Sequence, residues 1–155
     1  MIKRGKLSLA SLIFDQTIES LLKVYTLNDI RLGRALEEMG FCLIENNLKE
    51  EGLCYIEISN DIYKSNMGGE HPFVANFNQR IAVKLAYLGL YETSLPFHDK
   101  ALDLYTKMFG FSHPQVAHCY LFRTKTESQL GNEDRALEYH LKAFDIFKSK
   151  YGVNH

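Results

Sequence analysis

The chain has 155 residues, 46% of them hydrophobic and 24% charged, a composition that suits one packed globular domain and excludes a disordered chain. Eighteen Lys and Arg against nineteen Asp and Glu leave a formal charge of −1, so the basic footprint that nucleic-acid binding needs is missing. No apolar run nears the roughly 20 residues of a membrane-spanning helix, and no membrane partner is expected.

At the N-terminus Lys3, Arg4 and Lys6 precede the apolar stretch Leu7 to Phe14. That stretch is short, no small-residue cleavage site follows it, and Asp15 and Glu19 arrive at once. It therefore reads as part of the fold and not as a secretory signal. Beyond it an internal repeat organises the chain. His71-Pro72-Phe73-Val74-Ala75 returns as His113-Pro114-Gln115-Val116-Ala117, forty-two positions later, and Gly89 and Ala101-Leu102 return as Gly131 and Ala143-Phe144 without a gap. The copies are residues 29–70, 71–112 and 113–154, and residues 1–28 fill the last two-thirds of a partial copy, with Ala10, Phe14 and Tyr25 under Ser94, His98 and Phe109. Together they are expected to form a single domain over residues 1–155.

Each copy predicts two helices. Val74, Phe77, Asn78, Ile81, Ala82, Leu85 and Leu88 recur at steps of three and four, and after Gly89 so do Leu95, His98, Ala101, Leu102 and Tyr105. Pro72 and Pro114 suit a first helical position, and the column before them (Asp29, His71, His113, His155) supplies the cap. Gly68, Gly110 and Gly152 supply a left-handed stop, each after a large residue: Met67, Phe109 and Tyr151. Pro96 is expected to start its helix a few residues later than the corresponding helix after Gly131. Arg123 and Glu127 occupy the columns of Ile81 and Leu85, which predicts a surface pair of about 0.3–0.5 kcal/mol on a capping copy. Cys42, Cys54 and Cys119 form neither a disulfide framework nor a zinc site and read as buried, reduced thiols of a cytoplasmic protein.

These residues resemble the tetratricopeptide repeat, in the 42-residue form of kinesin light chain-like and nephrocystin-like proteins. The carriers are His-Pro-x-Val-Ala at 71 and 113, Gly89-x-Tyr91, Lys100-Ala101-Leu102, Gly131, Ala136 and Lys142-Ala143-Phe144. Copy one departs from the pattern with Gly40, Asn47 and Gly52 where Ala, Gly and Ala are usual. The resemblance implies an all-α fold, a right-handed superhelical solenoid of antiparallel helix pairs in which stacked pairs share the core that one pair cannot build. It also implies a concave groove lined by the first helix of each copy. Carried over by position, the groove residues are Arg34, Glu37, Phe41 and Glu45, then Asn76, Gln79, Val83 and Tyr87, then His118, Leu121, Lys125 and Gln129. Three such helices would hold an extended peptide of roughly eight residues. Phe41, Val83 and Lys125 do not form the Lys/Asn carboxylate clamp of chaperone-tail binders, and Glu37 and Glu45 offset Arg34 in what would be a basic groove for tryptophan-acidic peptides. An apolar or aromatic anchor with hydrogen bonds from Asn76, Gln79 and Gln129 fits these side chains better.

No enzyme is expected, and no cofactor or metal. His98 and His140 share a core column with Phe14 and Ile56, His71 and His113 are turn and cap residues, and His118 and Cys119 point about 100° apart on one helix. No phosphate loop, H-E-x-x-H or G-x-S-x-G occurs. The aromatic residues Phe77, Tyr105, Phe144 and Phe147 fall at helical core spacing without interleaved basic residues, so no base-stacking surface is expected. The expected function is a scaffold for a protein or peptide partner. The alternative is a structural module of a larger solenoid that self-associates or stacks end to end through its terminal copies, since His155 stands where a further His-Pro would begin.

Overall fold

The computed structural model describes residues 2–152, and within the first helix the side chains of residues 2–8, Ala10, Ser11 and Phe14 fall outside the description. The side chains of Ala10 and Phe14, and the whole of His155, given repeat positions above, therefore lie outside the description. Among those described, seven α-helices and no strand occur: α1 (Ile2–Val24), α2 (Ile30–Glu45), α3 (Lys49–Met67), α4 (Pro72–Tyr87), α5 (Tyr91–Phe109), α6 (Pro114–Gln129) and α7 (Glu133–Tyr151). The period is carried into the helices without slippage. α2, α4 and α6 each have 16 residues, and α3, α5 and α7 each have 19.

Local chemistry sets these bounds. The side chain of Asp29 accepts from the amide of Arg31 at 2.8 Å, and the Nδ1 atoms of His71 and His113 accept from Phe73 and Gln115 at 3.1 and 3.2 Å. Each acceptor satisfies one orphan N–H of a first turn. Inside each pair the chain reverses in three residues. The amides of Leu48, Leu90 and Asn132 return to the carbonyls of Leu43, Leu85 and Glu127, each at 2.9 Å. The residue before each is Asn47, Gly89 or Gly131, with φ of 66°, 79° and 78°, so three copies of one Schellman turn join the helices, and Asn47 fills a glycine column because Asn tolerates the left-handed region. The later glycines, Gly68, Gly110 and Gly152, combine positive φ with ψ of 151°, 166° and 175°. That is the extended mirror region open to glycine alone, not the left-handed helical stop expected from sequence.

Pro96 does not delay its helix. α5 starts at Tyr91 and α7 at Glu133, in the same register. Proline at the sixth position removes one N–H whose acceptor would be the carbonyl of Glu92, an exposed residue that solvent can serve.

The chain divides into two compact units, Met1–Gly68 and Gly69–His155. In the first, Leu32, Leu36 and Ile62 form a buried cluster covered by Ile18, Leu21, Tyr25 and Tyr55. α2 and α3 approach so closely that a Cβ on Gly40 would stand 2.8 Å from the carbonyl oxygen of Gly52 and from the side chain of Ile56. Copy one therefore departs from the alanine pattern because this crossing has no room for a methyl group. Cys42 and Cys54 each lie two residues beyond one of these glycines, about 200° round the helix, and both are exposed. Only Cys119 is buried, which corrects the expectation of three interior thiols.

In the second unit every helix contributes to one interior: Ala75 from α4, Ala101 and Tyr105 from α5, Val116, Ala117 and Cys119 from α6, and Ala143 and Ile146 from α7. Val74, Phe77, Ile81, Ala82 and Leu85 are fully buried along α4.

Gly40→Ala and Gly52→Ala each raise helix propensity by about 1 kcal/mol, yet each should destabilise the chain by about 1–3 kcal/mol through overpacking. Urea unfolding followed by circular dichroism measures this, and a neutral or stabilising effect would refute the close crossing.

Candidate functional site

In the second unit α4, α5 and α6 enclose an open cavity of about 660 Å³, within the usual range for ligand pockets. Val83, Ala86 and Tyr87 form one wall from α4, and Phe122, Lys125 and Gln129 form the opposite wall from α6. Tyr91 and His98 reach in from α5. The Tyr91 hydroxyl donates to Gln129 Oε1 at 3.4 Å and ties α5 to the α6 wall. Tyr87 stands at the rim with 89% of its surface exposed.

The floor is polar and ordered. His98 is buried, with Nε2 3.1 Å from Thr126 Oγ1 and Nδ1 3.5 Å from Gln79 Nε2. The Thr126 hydroxyl donates to the carbonyl of Phe122 at 3.3 Å. Thr126 oxygen can therefore accept from His98 Nε2–H, leaving Nδ1 to accept from Gln79. Gln79 Oε1 is buried and has no hydrogen-bond partner among the described residues. Burial, and then the nearby Arg123 guanidinium, push the His98 pKa down to about 4, with Glu127 opposing them. The imidazole is neutral at physiological pH.

Behind the floor lies a buried ion pair. Arg123 Nε donates to Glu127 Oε1 at 2.8 Å, while Arg123 Nη1 reaches Asp99 Oδ1 at 2.7 Å and the carbonyl of Leu95 at 3.1 Å. Asn132 Nδ2 serves the other carboxylate oxygen at 2.8 Å. Glu127 is 0% exposed and Arg123 9%, so the expected surface pair is in fact an interior one. The two residues stand in core columns, and α5 covers them. Burial pushes the Glu127 pKa up, but hydrogen bonds from Asn132 and Arg123, with the charges of Arg123 and Arg135, outweigh it and hold the carboxyl below its ordinary range. Removing one partner of such a pair is far costlier than removing both, because the survivor stays buried and charged.

The other predicted positions distribute as follows. Lys125, Gln129, Val83 and Tyr87 line the cavity. Asn76 is exposed, and Leu121 packs half-buried against the interior. His118 is exposed and meets the Phe147 ring edge-on at 5.3 Å. In the first unit Arg34 and Glu45 are exposed, whereas Phe41 and Glu37 are buried, with the Tyr63 hydroxyl donating to Glu37 at 3.2 Å. Sequence reasoning confined the lining to first helices and so missed Tyr91 and His98. The Gly89-x-Tyr91 motif was the available signal for the tyrosine. His98 is an interior imidazole as expected, but His140 is exposed, because no described helix lies over α7 as α6 lies over α5.

Burial of Cys119 pushes its thiol up to about 12, so it is no nucleophile at neutral pH. No group of three His, Cys, Asp or Glu residues that could hold a metal occurs among the described residues, and none of the described helices is long and apolar enough to cross a membrane. Residues 74–149 match the family profile described as a tetratricopeptide repeat. The repeats over these residues are of the tetratricopeptide family, an all-α helical repeat fold of the solenoid class whose members generally bind other proteins. No curated protein matches its sequence.

His98 makes stability depend on pH. Its folded pKa, about 4, lies below the ordinary 6.5, so the unfolded chain binds more protons between these values and stability rises with pH there. The contribution is intact above about pH 6.5 and is lost as pH falls toward 4, roughly 3 kcal/mol in all. His98→Met should flatten this part of the stability–pH curve relative to the wild type, and parallel curves would contradict the assignment.

Proposed function

We propose that this protein is an adaptor that holds an extended segment of a protein partner in the groove between α4 and α6. The carrying observation is the cavity, where Val83, Tyr87, Lys125 and Gln129 converge from two helices. Its walls supply an apolar slot at Val83, Ala86 and Phe122, an aromatic rim at Tyr87 and Tyr91, and one cation at Lys125. An aliphatic or aromatic side chain fills the slot, and the groove amides serve the backbone of the bound segment. No residue in the cavity acts as a nucleophile in this reading, and the neutral His98 orders the floor. The exposed thiols of Cys42 and Cys54 suit the reducing conditions of the cytoplasm, and the 42-residue period suits the kinesin light chain-like branch of the family.

Eight-residue peptides selected from a displayed random library on the wild-type chain should bind with dissociation constants around micromolar, about −8 kcal/mol. The double variant Tyr87→Ala, Val83→Asp should weaken them at least tenfold, about 1.4 kcal/mol, while leaving helicity unchanged. Peptides that bind the variant as tightly as the wild type, or a selection that yields none, would refute the groove.

A further inference from the structure

α7 carries a second apolar surface, away from the cavity. Leu137, Leu141, Phe144 and Tyr151 are 59%, 51%, 55% and 52% exposed. At 100° per residue they fall with Lys148 within an arc of about 80°, whose centre lies about 120° or more from the inward-facing Ala143 and Ile146. Asp134, Glu138 and Asp145 border one side of the stripe.

The repeat shows what such a face does elsewhere in the same unit. One copy earlier the columns are Leu95, Asp99, Leu102 and Phe109 on α5. There α6 meets part of the face: Leu102 packs against the interior that holds Val116, Ala117 and Cys119, and Arg123 grips Asp99 and the carbonyl of Leu95, while Phe109 stays 42% exposed. The α7 stripe keeps the apolar columns and replaces the one carboxylate, Asp99, with Leu141. A helix that docks as α6 does would find no anion for an arginine, only a leucine.

We propose that this stripe is a docking face for an amphipathic helix of a protein partner, one with an aliphatic residue in the Arg123 column and basic residues along the margin that meets Asp134 and Asp145. The stripe continues the α5–α6 interface by one repeat, which fixes the occupant as a helix and fixes its register. The residue in the Arg123 column decides which helices fit, since arginine there would be buried against Leu141 without a counter-charge.

The chain's own first helices provide probes. A synthetic peptide of residues 71–90 has Ile81 in the deciding column, and one of residues 113–132 has Arg123. Each is titrated into the full-length isotope-labelled protein and followed by amide shifts. The 71–90 peptide should perturb Leu137, Leu141 and Phe144, and Leu141→Asp should weaken it at least tenfold. The same substitution recreates the Asp99 column and should reverse the preference, so that the variant binds the 113–132 peptide more tightly than the 71–90 peptide. Perturbations elsewhere than α7, shifts that survive Leu141→Asp, or no reversal would overturn the proposal. So would light scattering that finds a wild-type dimer which Leu141→Asp makes monomeric, since the occupant is then a second copy.

Discussion

A single pair of helices, 16 and 19 residues long, leaves an apolar face that it cannot bury alone, and the second unit is arranged around that constraint. Its interior takes Ala75, Ala101, Ala117 and Ala143 from four successive helices. These small side chains let the backbones approach, and Val116, Tyr105 and Ile146 fill the space that remains. The three-residue turns at Gly89 and Gly131 leave little freedom in how each pair closes, so the positions of the cavity walls follow from the interior. Tyr87 and Gln129 face the same opening because Ala82, Leu85, Thr126 and Glu127 are fixed beneath them.

The ion pair shows how the seam between copies two and three is specified. Ile81 and Leu85 become Arg123 and Glu127, and an apolar contact becomes a charged one without leaving the core. Buried pairs of this kind add little net stability over well-packed apolar residues. What they add here is register: Arg123 satisfies its donors only when Leu95 and Asp99 lie opposite. The same guanidinium helps keep His98 neutral, which leaves Nδ1 free to accept from Gln79. Seam and cavity floor thus share one electrostatic arrangement.

Much of the fold was legible in the sequence because the period, the His-Pro starts and the turn glycines all report local geometry. The features that were misread depend on neighbours in space. His98 and His140 are identical by column, yet Thr126 covers one and nothing among the described residues covers the other. Arg123 and Glu127 were assigned to the surface by residue type, although their columns were those of Ile81 and Leu85. Cys42 and Cys54 lie on the far side of a glycine crossing whose closeness only coordinates reveal. Of the groove positions, Val83, Tyr87, Lys125 and Gln129 came by position from the family resemblance, while Tyr91 and His98 enter from the neighbouring helix, which first-helix columns do not reach.

The central claim is that helices α4 to α7 share one interior and open together. Native-state hydrogen exchange on the buried amides of Ile81, Ala101, Cys119 and Ala143 tests it most directly. The account predicts a common opening free energy and a common dependence on denaturant for all four. If Cys119 and Ala143 were to exchange through a separate opening, with Ile81 and Ala101 still protected, the pairs would be independent hairpins, and the walls of the cavity would have no shared support.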